Sequence, residues 1–148
     1  MLKIQIIDDD PAILDLLDGL IRSSLETCLI TRTETPTVVP GQNVYVIDNS
    51  FECEQEAIRL ADTARRNAPD ALIIAYSSTL DELEWKALVN AGCNTVGCKS
   101  DPADLGQILG AIRAYESRHD SDRQRRTLRG SVDSIRQLID SWNERVSS

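Results

Sequence analysis

Several apolar stretches of the sequence end in polar residues that could handle a phosphoryl group. Asp8 and Asp9 follow the first stretch, Asp48 follows another, and Ser77 and Lys99 end or follow two more. Carboxylate oxygens are hard ligands of the kind that Mg²⁺ prefers. An aspartate can also form an acyl phosphate, while a cation, an ammonium group and a hydroxyl neutralise charge on the transferred oxygens. The set predicts a phosphoryl-transfer site that uses Mg²⁺.

The apolar stretches themselves are typical of buried β-strands. The predicted strands are Leu2–Ile7, Cys28–Thr33, Val44–Ile47, Ala71–Tyr76 and Thr95–Cys98. Helical patterns alternate with them, which predicts an α/β fold with a five-stranded parallel, doubly wound sheet. Ligands of such sheets bind beyond the carboxyl ends of the strands, where the polar residues stand. One such aspartate could be a helix cap, but five polar groups at one edge are harder to explain in that way.

The helices between the strands have recognisable ends. Asp10 can cap a helix that begins at Pro11. Thr79 and Glu82 have the spacing of a capping box for a helix over 79–91, which Gly92 would end. The stretch 34–41 contains two prolines and a glycine, so we expect the second helix to be shortened or absent.

The last part of the chain has a different pattern. Apolar residues recur there in alternating steps of four and three, as in a heptad repeat: Leu128, Val132, Ile135, Ile139, Trp142 and Val146. We therefore predict one globular domain over 1–116 and a C-terminal linker and amphipathic helix over 117–148. The pattern leaves two interpretations open, since the helix could dock on the domain or form a homodimer with a second chain.

Composition excludes several classes of protein. The net charge of −8 argues against binding of nucleic acid, because a phosphate backbone is held by clustered Lys and Arg. No apolar run is long enough to span a membrane, and the N-terminus turns acidic by Asp8, so we expect a cytoplasmic protein without a signal peptide. The four cysteines form no CxxC pair and there is a single histidine, which predicts neither a zinc site nor a nucleophilic triad.

Residues 1–116 resemble a response regulator receiver domain. Ile6-Ile7-Asp8-Asp9-Asp10-Pro11 is similar to the acidic cluster of that family, and Val44-Tyr45-Val46-Ile47-Asp48 to its phosphoacceptor strand. Ile73-Ile74-Ala75-Tyr76-Ser77-Ser78 resembles the strand with the switch Ser or Thr. Ala91-Gly92-Cys93-Asn94, followed by Lys99, resembles the helix end and the lysine. The ordered set is more specific than any one motif.

The resemblance implies a flavodoxin-like, CheY-like fold and a role for each polar residue. Asp48 would be phosphorylated by a histidine kinase or a phosphotransfer protein, with Ser77 and Lys99 assisting. Asp9 and Asp48 would bind Mg²⁺ directly, Asp8 through water, and Ser50 through its backbone carbonyl. The chain would then be a single-domain response regulator in a two-component phosphorelay, catalysing at most its own phosphorylation and dephosphorylation.

Three features depart from the family pattern. The loop Asn49-Ser50-Phe51-Glu52-Cys53-Glu54 replaces the usual sequence after the phosphoacceptor and is more acidic. Ser100 stands where a proline usually follows the lysine, so we predict a trans Lys99–Ser100 bond. Val96 occupies the usual aromatic switch position, where it cannot report phosphorylation by a ring flip.

Two other functions stay open, of which the departures favour the first. A pseudo-receiver would use the same fold as a binding module that does not depend on phosphorylation. A haloacid-dehalogenase-like phosphatase would use Asp8 and Asp10 as its Asp-x-Asp motif. The second function also needs an acidic pair that ends a strand after Lys99, and the sequence there is typical of helix.

Output is expected through a downstream protein target, because the sequence carries no helix-turn-helix pattern and no catalytic module. On the helix over 79–91, the spacing places Leu80, Leu83 and Ala87 toward the core. Trp85 and Val89 would point outward, and we predict that they form a partner surface.

Overall fold

The computed structural model describes residues 1–51 and 54–147 of the chain. It divides into two compact units, the first spanning residues 1–114 and the second beginning at Tyr115. The strands are β1 (Leu2–Ile7), β2 (Cys28–Thr33), β3 (Val44–Ile47), β4 (Ser50–Phe51), β5 (Glu54–Gln55), β6 (Leu72–Ser77) and β7 (Thr95–Cys98). The helices are α1 (Pro11–Ser24), α2 (Ala57–Asn67), α3 (Glu82–Asn90) and α4 (Pro102–Ser147).

The main sheet has five strands in the order β2-β1-β3-β6-β7. Every neighbouring pair in it is parallel, with Ile7 beside Ile47 and Ile47 beside Ala75 at the carboxyl ends. The predicted five-stranded parallel sheet is therefore confirmed. Strands β4 and β5 form a separate antiparallel pair directly after β3.

One apolar core lies between the sheet and helices α2 and α3. Alternate strand residues such as Ile7, Ile47 and Ala75 are buried there against Leu60 of α2 and Leu88 of α3. Strands β3 and β6 are buried at every position, as expected for central strands of a parallel sheet. This packing fixes the strand ends that carry the polar residues.

Helix α1 begins as predicted. The Asp10 side chain accepts a hydrogen bond from the Ala12 backbone N–H at 3.0 Å, and Pro11 is the first helical residue. Leu17 and Ile21 are buried on its inner side. The helix thus starts directly after the acidic pair and holds it at the end of β1.

No helix forms between β2 and β3, which confirms the predicted loss of the second helix. The buried Gln5 side chain holds the connecting segment instead. Its amide donates to the Thr37 carbonyl at 2.8 Å, and its oxygen accepts from the Val39 N–H at 2.8 Å. The Tyr45 hydroxyl donates to the Val39 carbonyl at 2.8 Å. These contacts satisfy backbone groups that a helix would otherwise have paired internally.

Helix α3 corrects part of the prediction. It begins at Glu82 rather than Thr79, and Asp81 is its cap, accepting from the Glu84 N–H at 2.7 Å. Leu83, expected in the core, is 79% exposed, whereas Leu88 is fully buried. Leu80 packs against the core as predicted, but Leu83 does not, and the buried face of the helix includes Leu88 instead.

The segment around Lys99 agrees with two expectations. Among the described residues no peptide bond is cis, so the Lys99–Ser100 bond is trans as predicted. Gly92 follows α3 with a φ of 113°, a left-handed conformation that suits glycine at a helix end.

The C-terminal part is helical where we expected a linker. Helix α4 includes residues 117–127 without a break, and its heptad stripe lies in the second unit. The domain boundary at residue 116 stays a prediction. None of the described helices is long and apolar enough to cross a membrane.

Candidate functional site

Backbone hydrogen bonds continue one residue past the strand ends and align the polar residues. The Asp48 N–H donates to the Ile7 carbonyl at 2.9 Å, and the Lys99 N–H donates to the Ser77 carbonyl at 2.8 Å. Because the strands are parallel, their carboxyl ends meet at one edge of the sheet. The residues that follow β1, β3 and β7 are thereby brought to a common edge.

Three carboxylates form a cluster at this edge. Oxygen atoms of Asp8, Asp9 and Asp48 all lie within 4.8 Å of one another. Asp8 is 2% exposed and Asp48 is 3% exposed, while Asp9 is open to solvent. Two buried carboxylates beside a third are unfavourable without positive charge close by.

Lys99 supplies that charge. Its Nζ donates to Asp8 Oδ2 at 2.7 Å and to Asp48 Oδ1 at 3.1 Å, so one ammonium group bridges two buried carboxylates. A second Asp8 oxygen, Oδ1, accepts from the Asp10 N–H at 2.9 Å. The lysine therefore holds the two aspartates in place from the end of the neighbouring strand.

Burial and pairing act in opposite directions on these groups. Burial raises the pKa of Asp8 above its ordinary value, and the hydrogen bond from Lys99 only partly offsets this effect. For Lys99, burial lowers the pKa, but the hydrogen bond to Asp8 and the charge of Asp48 outweigh it, so the Lys99 pKa is raised. Lys99 therefore carries a positive charge in the site.

Ser77 ends the strand next to Lys99. Its side chain is fully buried, and its Oγ has no hydrogen-bond partner within the described parts of the chain. A buried hydroxyl without a partner is costly, so it is suited to a ligand oxygen that arrives later. This orphaned group fits a phosphoryl oxygen.

The donor set also fits a divalent cation. Asp8, Asp9 and Asp48 offer hard oxygen atoms, close enough together for one ion, and Mg²⁺ prefers such ligands together with water and phosphate oxygens. The proposed ligation by the Ser50 carbonyl stays a prediction. Residues 52 and 53 of the acidic loop lie outside the described residues.

Two residues of the site were missed by the sequence interpretation. Asn49, directly after Asp48, is 3% exposed, and its Nδ2 donates to Glu84 Oε2 of α3 at 3.3 Å. Its Oδ1 has no partner among the described residues. The only sequence signal for Asn49 was that a polar residue continues a buried strand. Its partner Glu84 could not be predicted, because its position depends on the rotation of α3.

The predicted partner residues Trp85 and Val89 lie on α3. They are 43% and 49% exposed, which agrees with the predicted outward orientation. Their role as a partner surface stays a prediction. Val96, at the position expected for a switch aromatic residue, is buried in the core with Leu88.

No protein-family model and no curated protein sequence matches the chain. Solved structures do match it. The BeF3-activated receiver domain of DrrB from Thermotoga maritima superposes with a TM-score of 0.68 at 16% identity, over 79% of this chain and 98% of that one. A CheY-like receiver domain protein from Methanospirillum hungatei JF-1 gives 0.66 at 21% identity, over 80% and 98%. This chain has the receiver-domain fold.

A third similar structure is the Mn²⁺-bound form of the response regulator Rcp1. It gives a TM-score of 0.62 at 13% identity, over 77% of this chain and 93% of that one. In the receiver fold of our chain, the carboxylate cluster lies at the carboxyl edge of the sheet, where doubly wound folds bind their ligands.

Proposed function

We propose that the chain is a response regulator in two-component signalling, which accepts a phosphoryl group on Asp48. The observation that carries this proposal is the bridge from Lys99 Nζ to Asp8 and Asp48 within a cluster of three carboxylates. It combines a buried nucleophilic carboxylate, a cation and hard oxygen ligands at one place. Phosphoryl transfer needs mainly such positioning and charge neutralisation.

In the proposed reaction a carboxylate oxygen of Asp48 attacks the phosphorus of a phosphohistidine on a histidine kinase or phosphotransfer protein. A P–O bond forms, the P–N bond breaks, and the imidazole leaves with its electron pair and takes up a proton. Lys99 pairs with a phosphoryl oxygen, and the Ser77 hydroxyl donates to another. Hydrolysis of the acyl phosphate by water returns Asp48 and inorganic phosphate.

The proposed metal is Mg²⁺, held by Asp9 and Asp48 directly, by Asp8 through water, and by the Ser50 carbonyl. The ion would neutralise charge on the phosphoryl oxygens. The buried position of Asp8 and Asp48 makes such a counter-charge more effective than at an exposed site.

The output of the proposed switch is binding of a downstream protein in the cytoplasm, with no catalysis of a separate substrate. Trp85 and Val89 are exposed on α3, and the same helix contacts the residue after the phosphoacceptor through Glu84 and Asn49. A change at Asp48 could therefore reach this face over one hydrogen bond. Trp85→Ala with Val89→Ala should weaken target binding and leave phosphorylation intact, while Lys86→Ala on the same helix serves as the control.

The decisive experiment for phosphorylation uses a small phosphodonor such as acetyl phosphate. We expect Mg²⁺ and the donor to add the mass of one phosphoryl group to the intact protein. Asp48→Asn should abolish this gain, and removal of Mg²⁺ with a chelator should do the same. If the wild-type protein gains no mass under these conditions, the site is a binding module and the proposal is wrong.

A further inference from the structure

Helix α4 carries an apolar face that nothing in the described chain covers. Its large apolar side chains are between 44% and 71% exposed: Leu128, Val132, Ile135, Leu138, Ile139 and Trp142. Single exposed apolar residues are ordinary, but a continuous row of them marks a contact surface. The row lies within the second unit and outside the candidate site.

We propose that residues 128–146 form a parallel, two-stranded coiled coil with a second copy of this chain. The proposal is independent of phosphorylation at Asp48. The spacing places Val132, Ile139 and Val146 at a positions, with Leu128, Ile135 and Trp142 at d positions.

The residue types at the seam favour two parallel strands. All three a positions carry a β-branched residue, Val132, Ile139 and Val146. Ile or Val at a favours two strands in parallel coiled coils when Leu stands at d, as Leu128 does in the first layer, whereas Ile135 and Trp142 occupy the other d positions. Leu138, at a g position beside the seam, is 71% exposed and widens the apolar face.

Residues beside the seam are compatible with a second copy in parallel orientation. In a parallel pair each g residue faces the e residue five positions later on the other chain. Within residues 128–146 the facing pairs would be Ser131 with Arg136 and Leu138 with Asn143, so no like charges meet. The sequence is compatible with itself in this orientation.

The antiparallel orientation brings a repulsion. With the same apolar layers paired, e positions face e positions, and Arg136 would lie opposite the Arg136 of the other chain. Like charges directly across an interface are unfavourable. The parallel pair avoids this contact.

The first test measures the mass of the full chain in solution by sedimentation equilibrium. We expect a concentration-dependent dimer at micromolar protein. Ile135→Glu places a carboxylate in the seam and should weaken dimerisation at least about 100-fold. Gln137→Glu adds the same charge on the opposite face of the helix and should leave the dimer unchanged.

Since both substituted positions lie on the helix beyond the receiver fold, thermal unfolding of both variants should show an intact first unit. A wild-type monomer at high micromolar concentration would overturn the proposal. So would a dimer that Ile135→Glu does not weaken, because its interface would lie elsewhere. A trimer or tetramer would overturn the two-stranded assignment.

The second test decides the orientation. Ser131→Glu would face Arg136 of the other chain in a parallel pair and should tighten the dimer by about threefold. Asn143→Glu would face Leu138 in a parallel pair and should not tighten it. In an antiparallel pair, Asn143→Glu would instead face Arg129, so tightening by Asn143→Glu would contradict the parallel arrangement.

Discussion

Lys99 Nζ lies 2.7 Å from Asp8 Oδ2, although the two residues are 91 positions apart in the sequence. The same nitrogen reaches Asp48 Oδ1 at 3.1 Å. The lysine is therefore the internal counter-charge of the site. A divalent cation at these carboxylates would share this role with Lys99, and later a phosphoryl group would give the lysine a new partner. Both effects can be measured.

Lys99→Met should affect phosphorylation and metal binding in opposite directions. Without the ammonium group, phosphorylation by a small donor should slow by about 10²–10³-fold, because a positioned donor to the phosphoryl oxygens is lost. Mg²⁺ should bind more tightly, since a competing cation is removed. Rates come from intact mass against time, and Mg²⁺ affinity from calorimetry.

Lys86→Met is the matched control, because Lys86 is an exposed lysine of α3 that pairs with Glu82. It should change neither quantity. Tighter Mg²⁺ binding together with an unchanged phosphorylation rate in Lys99→Met would show that Lys99 is only a counter-ion.

Asp8→Asn should stabilise the metal-free protein increasingly as the pH rises. The pKa of Asp8 is raised in the folded state, so the folded protein binds this proton more tightly than the unfolded chain. The free energy of unfolding of the wild-type protein therefore falls as the pH rises from the ordinary pKa of Asp through the raised pKa of Asp8. The asparagine variant does not titrate at this position, so its stability does not fall in this way. Near neutral pH we expect a melting temperature a few degrees higher, since 1 kcal/mol corresponds to roughly 2–4 °C in a chain of this size.

Saturating Mg²⁺ should reduce that difference, because the ion stabilises the wild-type carboxylate and binds the asparagine variant less well. The measurement is thermal unfolding of both proteins over a pH series, with and without Mg²⁺. An asparagine variant that is less stable than the wild type at neutral pH without Mg²⁺ would refute the argument.

The sheet and the site edge could be predicted from the sequence because both follow from short-range patterns. Apolar runs such as Val44–Ile47 indicate buried strands, and the polar residue after each run must lie at the carboxyl edge once the sheet is parallel. This pattern predicts a common edge for Asp8, Asp9, Asp48 and Lys99, and the structure brings them together there.

Contacts that depend on exact rotation or long range could not be predicted. Leu83 was assigned to the core because its spacing from Leu80 and Ala87 is helical, but Leu88 takes that place once the helix starts at Glu82. The hydrogen bonds of Gln5 could not be predicted, since its partners lie in a segment without regular structure. Pattern rules describe faces of elements, whereas these contacts depend on tertiary packing.

Arg65 should be among the more important residues for stability. From α2 it donates hydrogen bonds of 2.7–2.8 Å to the carbonyls of Pro69, Ala71 and Gly92, and to the Asn94 side chain. Arg65→Ala removes all four hydrogen bonds and should lower the free energy of unfolding by about 2–3 kcal/mol. Urea unfolding measures the loss.

Two further variants sharpen this prediction. Arg65→Lys should recover only part of the loss, because an ammonium group cannot reproduce the planar guanidinium fork. Arg66→Ala removes the neighbouring exposed arginine, which pairs with Asp62, and should cost less than about 1 kcal/mol. Equal losses for Arg65→Ala and Arg66→Ala would mean that the hydrogen bonds contribute little.

Gln5→Leu should loosen the segment that replaces the second helix. The substitution removes the acceptor of the Val39 N–H and the donor to the Thr37 carbonyl, at a cost of roughly 2 kcal/mol. Amide exchange of Val39 should become at least about tenfold faster. Gln42→Leu, which changes another glutamine of the same segment, is the control and should leave that exchange rate unchanged. Unaltered Val39 protection in Gln5→Leu would show that other contacts hold the segment.

The most direct test of the account is to locate the phosphoryl group. After incubation with Mg²⁺ and acetyl phosphate, borohydride reduction converts an aspartyl phosphate into homoserine, and peptide mass mapping then finds the modified position. We expect homoserine at residue 48 alone, and none when Mg²⁺ is removed. Homoserine at another aspartate, or at no position in a folded protein that binds Mg²⁺, would contradict the assignment of Asp48 as phosphoacceptor.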